Sequence, residues 1–324
     1  MRRRKRAVPI FLLSLTLLLL GCSLHGGSGS KDRLQAATER GFDRLSEGEW
    51  WSAMGAFHDA LDIDADHAPA RYGLGRVFVE TGFWSGAEEE LGRAIEIRPG
   101  YGEAYLGLAT LYYRMGRYGA AERNVLEAEK KGAGGSPRAL HLLGLFAVRR
   151  GDQTEAEERF REGLRLAPAD TDLRLALVDL LREQARYSEA LHEIERERFT
   201  RGKEDDVRLR LADCRLHMGQ DLEAERLYSQ LALSRRHDRR AHEGLVLLSL
   251  RRGDAESTRE HLLALAGLLA NAEAERIRDL SRALESNDPF FSFLVRCRDI
   301  QGEVTGDLRV LIGRWIRELE RKSP

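Results

Sequence analysis

The stretch that decides the fold runs from Gly102 to Lys131 and reads GEAYLGLATLYYRMGRYGAAERNVLEAEKK. Gly116 divides it into two halves. The first carries Tyr105, Leu108, Ala109 and Tyr112 at separations of three and four, and the second carries Tyr118, Ala121 and Ala128. That spacing predicts two helices, each with one apolar face. Gly116 suits the left-handed backbone that ends a helix and opens a turn. The small side chains of Ala109 and Ala121 let the two backbones approach closely.

The pattern recurs along the chain. Alanines stand at Ala53, Ala87, Ala121, Ala156, Ala190 and Ala224, with spacings of 34, 34, 35, 34 and 34, and Thr258 continues the series. Five residues before them come Gly48, Gly82, Gly116, Gly151, Ala185, Gly219 and Gly253. Twelve before come Gly41, Gly75, Ala109, Gly144, Val178, Ala212 and Val246. Four after come Phe57, Leu91, Val125, Phe160, Ile194, Tyr228 and Leu262. Trp50, Trp84, Tyr118 and Tyr187 stand three before, placed to wedge between paired helices. Pro99 and Pro168 separate one hairpin from the next, because proline does not fit a helix interior. Pro69 and Pro137 fit first-turn positions of the helices that follow.

A unit of 34 residues folded as helix-turn-helix resembles the tetratricopeptide repeat (TPR). The resemblance covers residues 34–270. It implies an all-α, right-handed superhelical solenoid of six to seven repeats. Beyond residue 270 the period fails, but helical patterns continue. Asn271 to Glu285 carries Ile277, Leu280 and Leu284 on one side, and Asn287-Asp288-Pro289 reads as a turn and helix start. Leu308, Leu311, Ile312, Trp315, Ile316 and Leu319 form the stripe of a last helix. Residues 271–324 therefore read as a helical cap over the last repeat's apolar face, with a partner-binding or oligomerisation element as the alternative.

Composition narrows the function. Of 324 residues, 32% are charged and 42% hydrophobic, too many apolar residues for a disordered chain. The net charge of −1 gives no sign of a nucleic-acid binder. Three cysteines are too few for a disulfide scaffold. Cys214 reads as a small buried residue, and it can pair with Cys297 only if the C-terminal region folds back on the array.

The first segment reads as an address. Arg2, Arg3, Arg4, Lys5 and Arg6 precede an apolar run from Ala7 to Leu20, shorter than the ~20 residues a spanning helix needs. The run ends in Leu19-Leu20-Gly21-Cys22, which resembles the lipobox of bacterial lipoproteins. The resemblance implies a signal peptide over 1–21, cleavage before Cys22 and acylation of that residue. Acyl chains anchor through about 0.8 kcal/mol per buried methylene. The lack of an aspartate after Cys22 implies sorting to the outer membrane, facing the periplasm. Residues 22–33 contain the Gly/Ser-rich run SLHGGSGS and read as a tether. Without the leader's five cations the charge becomes −6.

In the family the first helix of each hairpin lines the face left open for partners. The resemblance puts Tyr72, Arg76 and Glu80 there, then Glu103, Tyr113 and Arg114, then Arg138, His141 and Arg149, and Arg182 further on. Tyrosine and arginine are the side chains of protein-binding hot spots. Asp172, Asp179, Asp206 and Asp213 predict a change of sign toward the later repeats. The lysine and asparagine set with which some family members hold a peptide carboxylate has no match here. No catalytic residue, metal-ligand cluster or phosphate loop stands out, and no cofactor is implied. The expected role is a lipid-anchored scaffold for protein partners in envelope machinery: pilus or secretin assembly, polysaccharide export or cell-wall enzyme docking. The alternatives are an enzyme or ligand-binding protein working from the non-repeat C-terminus, and a self-assembling structural array.

Overall fold

The computed structural model describes residues 11–195, 203–233, 238–302, 304 and 306–321, with side chains from residue 29 onward except at 238 and 271. The described residues form seventeen α-helices and no strand. The first ten residues of the segment that reads as a signal peptide, the Cys22 side chain and residues 196–202 lie outside this description. The chain divides into two compact units, one ending at Arg150 and the other beginning at Gly151. Among the described residues no helix is long and apolar enough to cross a membrane.

The first unit holds α1 (Phe11–Ser46), α2 (Trp50–Ile63), α3 (Ala68–Thr81), α4 (Trp84–Ile97), α5 (Gly102–Arg114), α6 (Tyr118–Lys130) and α7 (Pro137–Arg150). α1 pairs with α2, α3 with α4 and α5 with α6, while α1, α3, α5 and α7 stack side by side. Helical backbone in α1 runs through residues 22–33, where the Gly/Ser content predicts a tether. Ala53, Ala87 and Ala121 are fully buried.

Phe57 and Leu91, each four after its alanine, enter slots between two glycines. A Cβ on Gly41 would lie 2.4 Å from the Phe57 ring, and one on Gly73 would lie 2.3 Å from it. Leu91 sits likewise between Gly75 and Gly107, where added Cβ atoms would meet it at 2.6 and 2.5 Å. α2 and α4 thus each drive one side chain between their own first helix and the next one. That contact couples neighbouring repeats, as a stacked array requires.

The loop Lys131 to Pro137 carries the extra residue of the 35-residue spacing, which predicts an opened junction. α6 does pack less on α7 than α2 on α3. The gap is filled by Ala133, which is buried with Ala128 and Ala139 and would meet any side chain placed at Gly102.

The second unit holds α8 (Gln153–Leu166), α9 (Thr171–Glu183), α10 (Tyr187–Glu195), α11 (Glu204–His217), α12 (Asp221–Ala232), α13 (Asp238–Arg252), α14 (Ala255–Gly267), α15 (Asn271–Ala283), α16 (Pro289–Gln301) and α17 (Gly306–Glu320). Asp152, Asp170, Asp254 and Asp288 cap α8, α9, α14 and α16 by accepting backbone N–H groups. α9, α11 and α13 stack in a row, and α17 then packs against α13. The slot beside α13, where the next first helix of a repeat would lie, is therefore filled by the last helix of the chain. One core joins the two regions: Val246, Leu250, Leu262 and Leu265 share it with Ile277, Phe293, Ile312 and Trp315. Cys214 and Cys297 are both buried and both free, so the pairing does not form. Cys297 is enclosed in that C-terminal core, while Cys214 faces the sixth hairpin on α11.

The turn glycines adopt left-handed backbone throughout: φ is 76° at Gly48, 77° at Gly82, 73° at Gly116, 81° at Gly151, 75° at Gly219 and 78° at Gly253. Ala185 keeps the same conformation at φ 58°, the one non-glycine among the described residues with positive φ. A side chain there costs ~1–2 kcal/mol, and glycine's extra unfolded freedom returns ~0.4–1. Ala185→Gly is expected to stabilise the protein by about 0.5–1 kcal/mol, read as a higher urea midpoint with unchanged slope. A lower midpoint contradicts it.

Candidate functional site

In the first unit the side chains expected on the open face fall into two groups. Tyr72 is only 6% exposed, so it belongs to the packing more than to the surface. Its ring meets Tyr101 edge-on at 5.3 Å, and Arg138 donates to its hydroxyl at 2.7 Å. Arg76 and Arg138 lie over the same ring at 5.8 and 6.0 Å, and Arg98 lies over Tyr101 at 5.2 Å. Burial pushes the Tyr101 phenol up, with Tyr72 and Glu103 adding to the shift. Tyr72 on α3 and Arg138 on α7 are thus joined across α5, which ties three first helices into one arginine–aromatic cluster.

The second group lies at the other ends of these helices. Arg114 donates to Glu80 at 2.9 Å and to the Val79 carbonyl at 3.1 Å. Tyr113 packs edge-on against Tyr118 and Phe146 at 5.3 and 5.7 Å. Arg149 stands over the Tyr118 ring at 3.3 Å. Tyr118 thus wedges between its own hairpin's helices, whereas Trp84 at the same repeat position is 38% exposed. Glu103, Arg114 and Arg149 are exposed, and His141 is half-buried.

In the second unit three of the four acids expected to make the face negative, Asp172, Asp179 and Asp213, are held by cations. Arg182 donates to Asp179 at 2.8 Å and also binds Asp213, while Arg210 binds Asp179 at 2.5 Å. Asp213 further accepts from Tyr228 at 2.5 Å, and Lys203 pairs with Asp172 at 3.2 Å. Burial pulls the Arg182 guanidinium down, but Asp213 and Asp179 outweigh it and hold it above its ordinary value.

Arg182, Asp213 and Tyr228 border a cavity of about 270 Å³ that the sequence reading did not anticipate. Its walls come from α9 (Arg182), α11 (Asp213, Leu216, His217), α12 (Tyr228), α13 (Arg240, Glu243, Gly244, Leu247, Arg251) and α17 with the residue that follows it (Leu311, Arg314, Trp315, Arg317, Glu318, Arg321). Arg251 donates to Asp221 at 2.6 Å, to Glu318 at 3.1 Å and to the Leu216 carbonyl at 3.2 Å. Burial holds the His217 imidazole below its ordinary value, so it is neutral at pH 7. Arg182 and Asp213, expected on the open face, and Tyr228, in the repeated series of large residues, are the residues of this site named by the repeat pattern. The available signal for the rest was the basic stripe Arg314, Arg317 and Arg321, opposite the apolar stripe of the last helix. Among the described residues no group of three or more His, Cys, Asp or Glu side chains is placed to hold a metal ion.

Comparison with known proteins fits this architecture. A family model described as tetratricopeptide repeat matches residues 102–265. The chain belongs to the tetratricopeptide repeat family. The type IV pilus assembly protein PilF of Pseudomonas aeruginosa is 26% identical to this TPR chain over 190 residues, which cover 56% of this chain and 75% of PilF. Among solved structures, the human IFIT1 dimer with PPP-AAAA superposes with a TM-score of 0.61 at 14% identity, covering 89% of this chain and 71% of IFIT1. The APC/C hetero-tetramer Cut9–Hcn1 superposes with a TM-score of 0.60 at 15% identity, covering 76% of this chain and 48% of the other. At these identities the two structures share the TPR fold with this chain.

Proposed function

We propose that this TPR protein is a lipid-anchored scaffold of the bacterial cell envelope, held to the outer membrane through acylated Cys22 and facing the periplasm. It works by binding protein partners and not by catalysis. The observation that carries the reading is the arginine–aromatic surface of the first unit, where Arg76 and Arg149 lie over tyrosine rings beside exposed Glu103 and Arg114. Such side chains supply most of the energy at protein interfaces. The likeness to a type IV pilus assembly protein supports an assembly role and makes pilus or secretin components the first partners to test. The basic leader and the Leu-Leu-Gly-Cys run support the anchor.

One experiment in the native bacterium tests both halves. Wild-type protein, Cys22→Ala and Arg76→Glu/Arg149→Glu are compared by membrane fractionation and by crosslinked recovery of partners. Wild type should sediment with membranes and bring a defined partner. Cys22→Ala should lose lipid labelling and move to the soluble fraction. The charge-reversed protein should stay on the membrane, keep its helicity and recover about tenfold less partner, as the loss of hot-spot contacts predicts. Lipid labelling of Cys22→Ala would refute the anchor, and undiminished partner recovery by the double variant would refute the surface.

A further inference from the structure

The cavity of the second unit has an excess of cations that its own acids do not absorb. Six arginines border it, Arg182, Arg240, Arg251, Arg314, Arg317 and Arg321, against Asp213, Glu243 and Glu318. Each carboxylate is already committed. Asp213 is taken by Arg182, Arg240 and the Tyr228 hydroxyl. Glu243 is taken by Arg239, and Glu318 by Arg251 and Arg321. Arg314 and Arg317 are exposed one turn apart on α17 and have no carboxylate partner among the described residues. Two buried donors of lining residues, the Trp315 indole N–H and the Arg182 Nε–H, have no acceptor among the described residues.

The floor between these charges is apolar. Leu216, Leu247, Leu311 and Trp315 supply it, and the Tyr228 ring packs onto Gly244, where an added Cβ would meet it at 2.6 Å. The volume of about 270 Å³ lies at the low end for ligand pockets, enough for one or two side chains. Arginine pairs with carboxylates in two-point geometry, and tryptophan beside it is a usual anchor for an apolar neighbour.

We infer that this cavity is a docking pocket for an acidic segment of a protein partner, its carboxylates held by Arg314 and Arg317 and an adjacent apolar side chain seated on the Leu247–Trp315 floor. The inference rests on the scaffold reading and adds to it the chemistry of the partner. It also gives α17 a role: the last helix closes the row of first helices and brings in three of the six arginines.

The test uses full-length protein in detergent and a fluorescein-labelled hexapeptide of alternating glutamate and leucine, followed by anisotropy at low salt. Wild type should bind saturably, and affinity should fall steeply with ionic strength. Arg314→Glu and Arg317→Glu should each weaken binding about tenfold, as loss of a charge-assisted hydrogen bond predicts. Arg309→Glu makes the same charge change on an exposed position of α17 outside the cavity and should change affinity less than twofold. Equal loss in all three variants would reduce the effect to net charge and overturn the pocket. Unchanged affinity in Arg314→Glu and Arg317→Glu would overturn it directly. Inorganic phosphate or a 5′-phosphorylated oligonucleotide that binds through the same arginines more tightly than the peptide would overturn the acidic-segment assignment. The two proposals fail separately. A partner recovered equally by wild type and by Arg314→Glu/Arg317→Glu, together with unaltered peptide affinity, sinks the pocket alone. Peptide binding that behaves as stated, with no partner recovered by wild type, sinks the scaffold alone.

Discussion

Ending the chain after Ala270 unfolds the second unit. The cut removes α15, α16 and α17 and leaves Val246, Leu250, Leu262 and Leu265 without the other half of their core. Fully exposing four such side chains costs roughly 6–12 kcal/mol at about 1.5–3 kcal/mol each. A whole domain is stable by only about 5–15 kcal/mol, so little margin remains. The loss of Glu318 also strips Arg251 of a carboxylate partner. The truncated protein should bind an apolar dye, aggregate on warming and lose the part of its helical signal that melts with the second unit. The first unit has its own cores and should still melt as a separate transition. A soluble truncation with an unchanged melting profile would show that the last three helices are ornament on a self-sufficient array.

The second large effect sits where Phe57 enters the slot between Gly41 and Gly73. Phe57 is completely buried, and replacing it with alanine should cost about 3–5 kcal/mol. The reverse intrusion is more informative. In a helix interior, alanine is favoured over glycine by about 1 kcal/mol, so Gly73→Ala would stabilise if local propensity decided. The added methyl would lie 2.3 Å from the Phe57 ring, and overpacking costs about 1–3 kcal/mol. Gly73→Ala is therefore expected to destabilise by up to about 2 kcal/mol. Gly92→Ala, where nothing lies within 4 Å of the new methyl, should gain about 1 kcal/mol. Pairing Phe57→Leu with Gly73→Ala should cost less than the two singly, because both act on one contact. Additive costs in urea unfolding would mean that the slot is not the seat of the effect.

These slots explain why so much of the fold was legible. Each repeat position meets the same neighbours, so its residue type is constrained in every copy, and a fixed spacing of buried alanines and left-handed glycines follows. Two features escaped. Gly73, Gly107 and Gly244 face the large residue of the preceding hairpin, but at that register other copies carry bulkier residues, so no period marks them. The arginine-lined cavity has no period at all, because its walls are assembled from helices spread over residues 182–321. Asp179 and Asp213 looked like part of a change of sign only while Arg210 and Arg182, their partners on neighbouring helices, were out of view. Arg138 and Tyr72 show the same limit: 66 residues part them in sequence and 2.7 Å in space.

The placement of α17 beside α13 has a consequence for assembly. Stacked repeats have sticky ends: a last first-type helix offers the surface onto which another copy's opening helix could add, and head-to-tail addition without closure grows a filament. Here that surface is already occupied by the chain's own final helix, with Trp315 fully buried and Arg251 bonded to Glu318. Growth by stacking onto α13 is blocked. A second copy could add at that end only by first displacing α17 from the core it shares with α13.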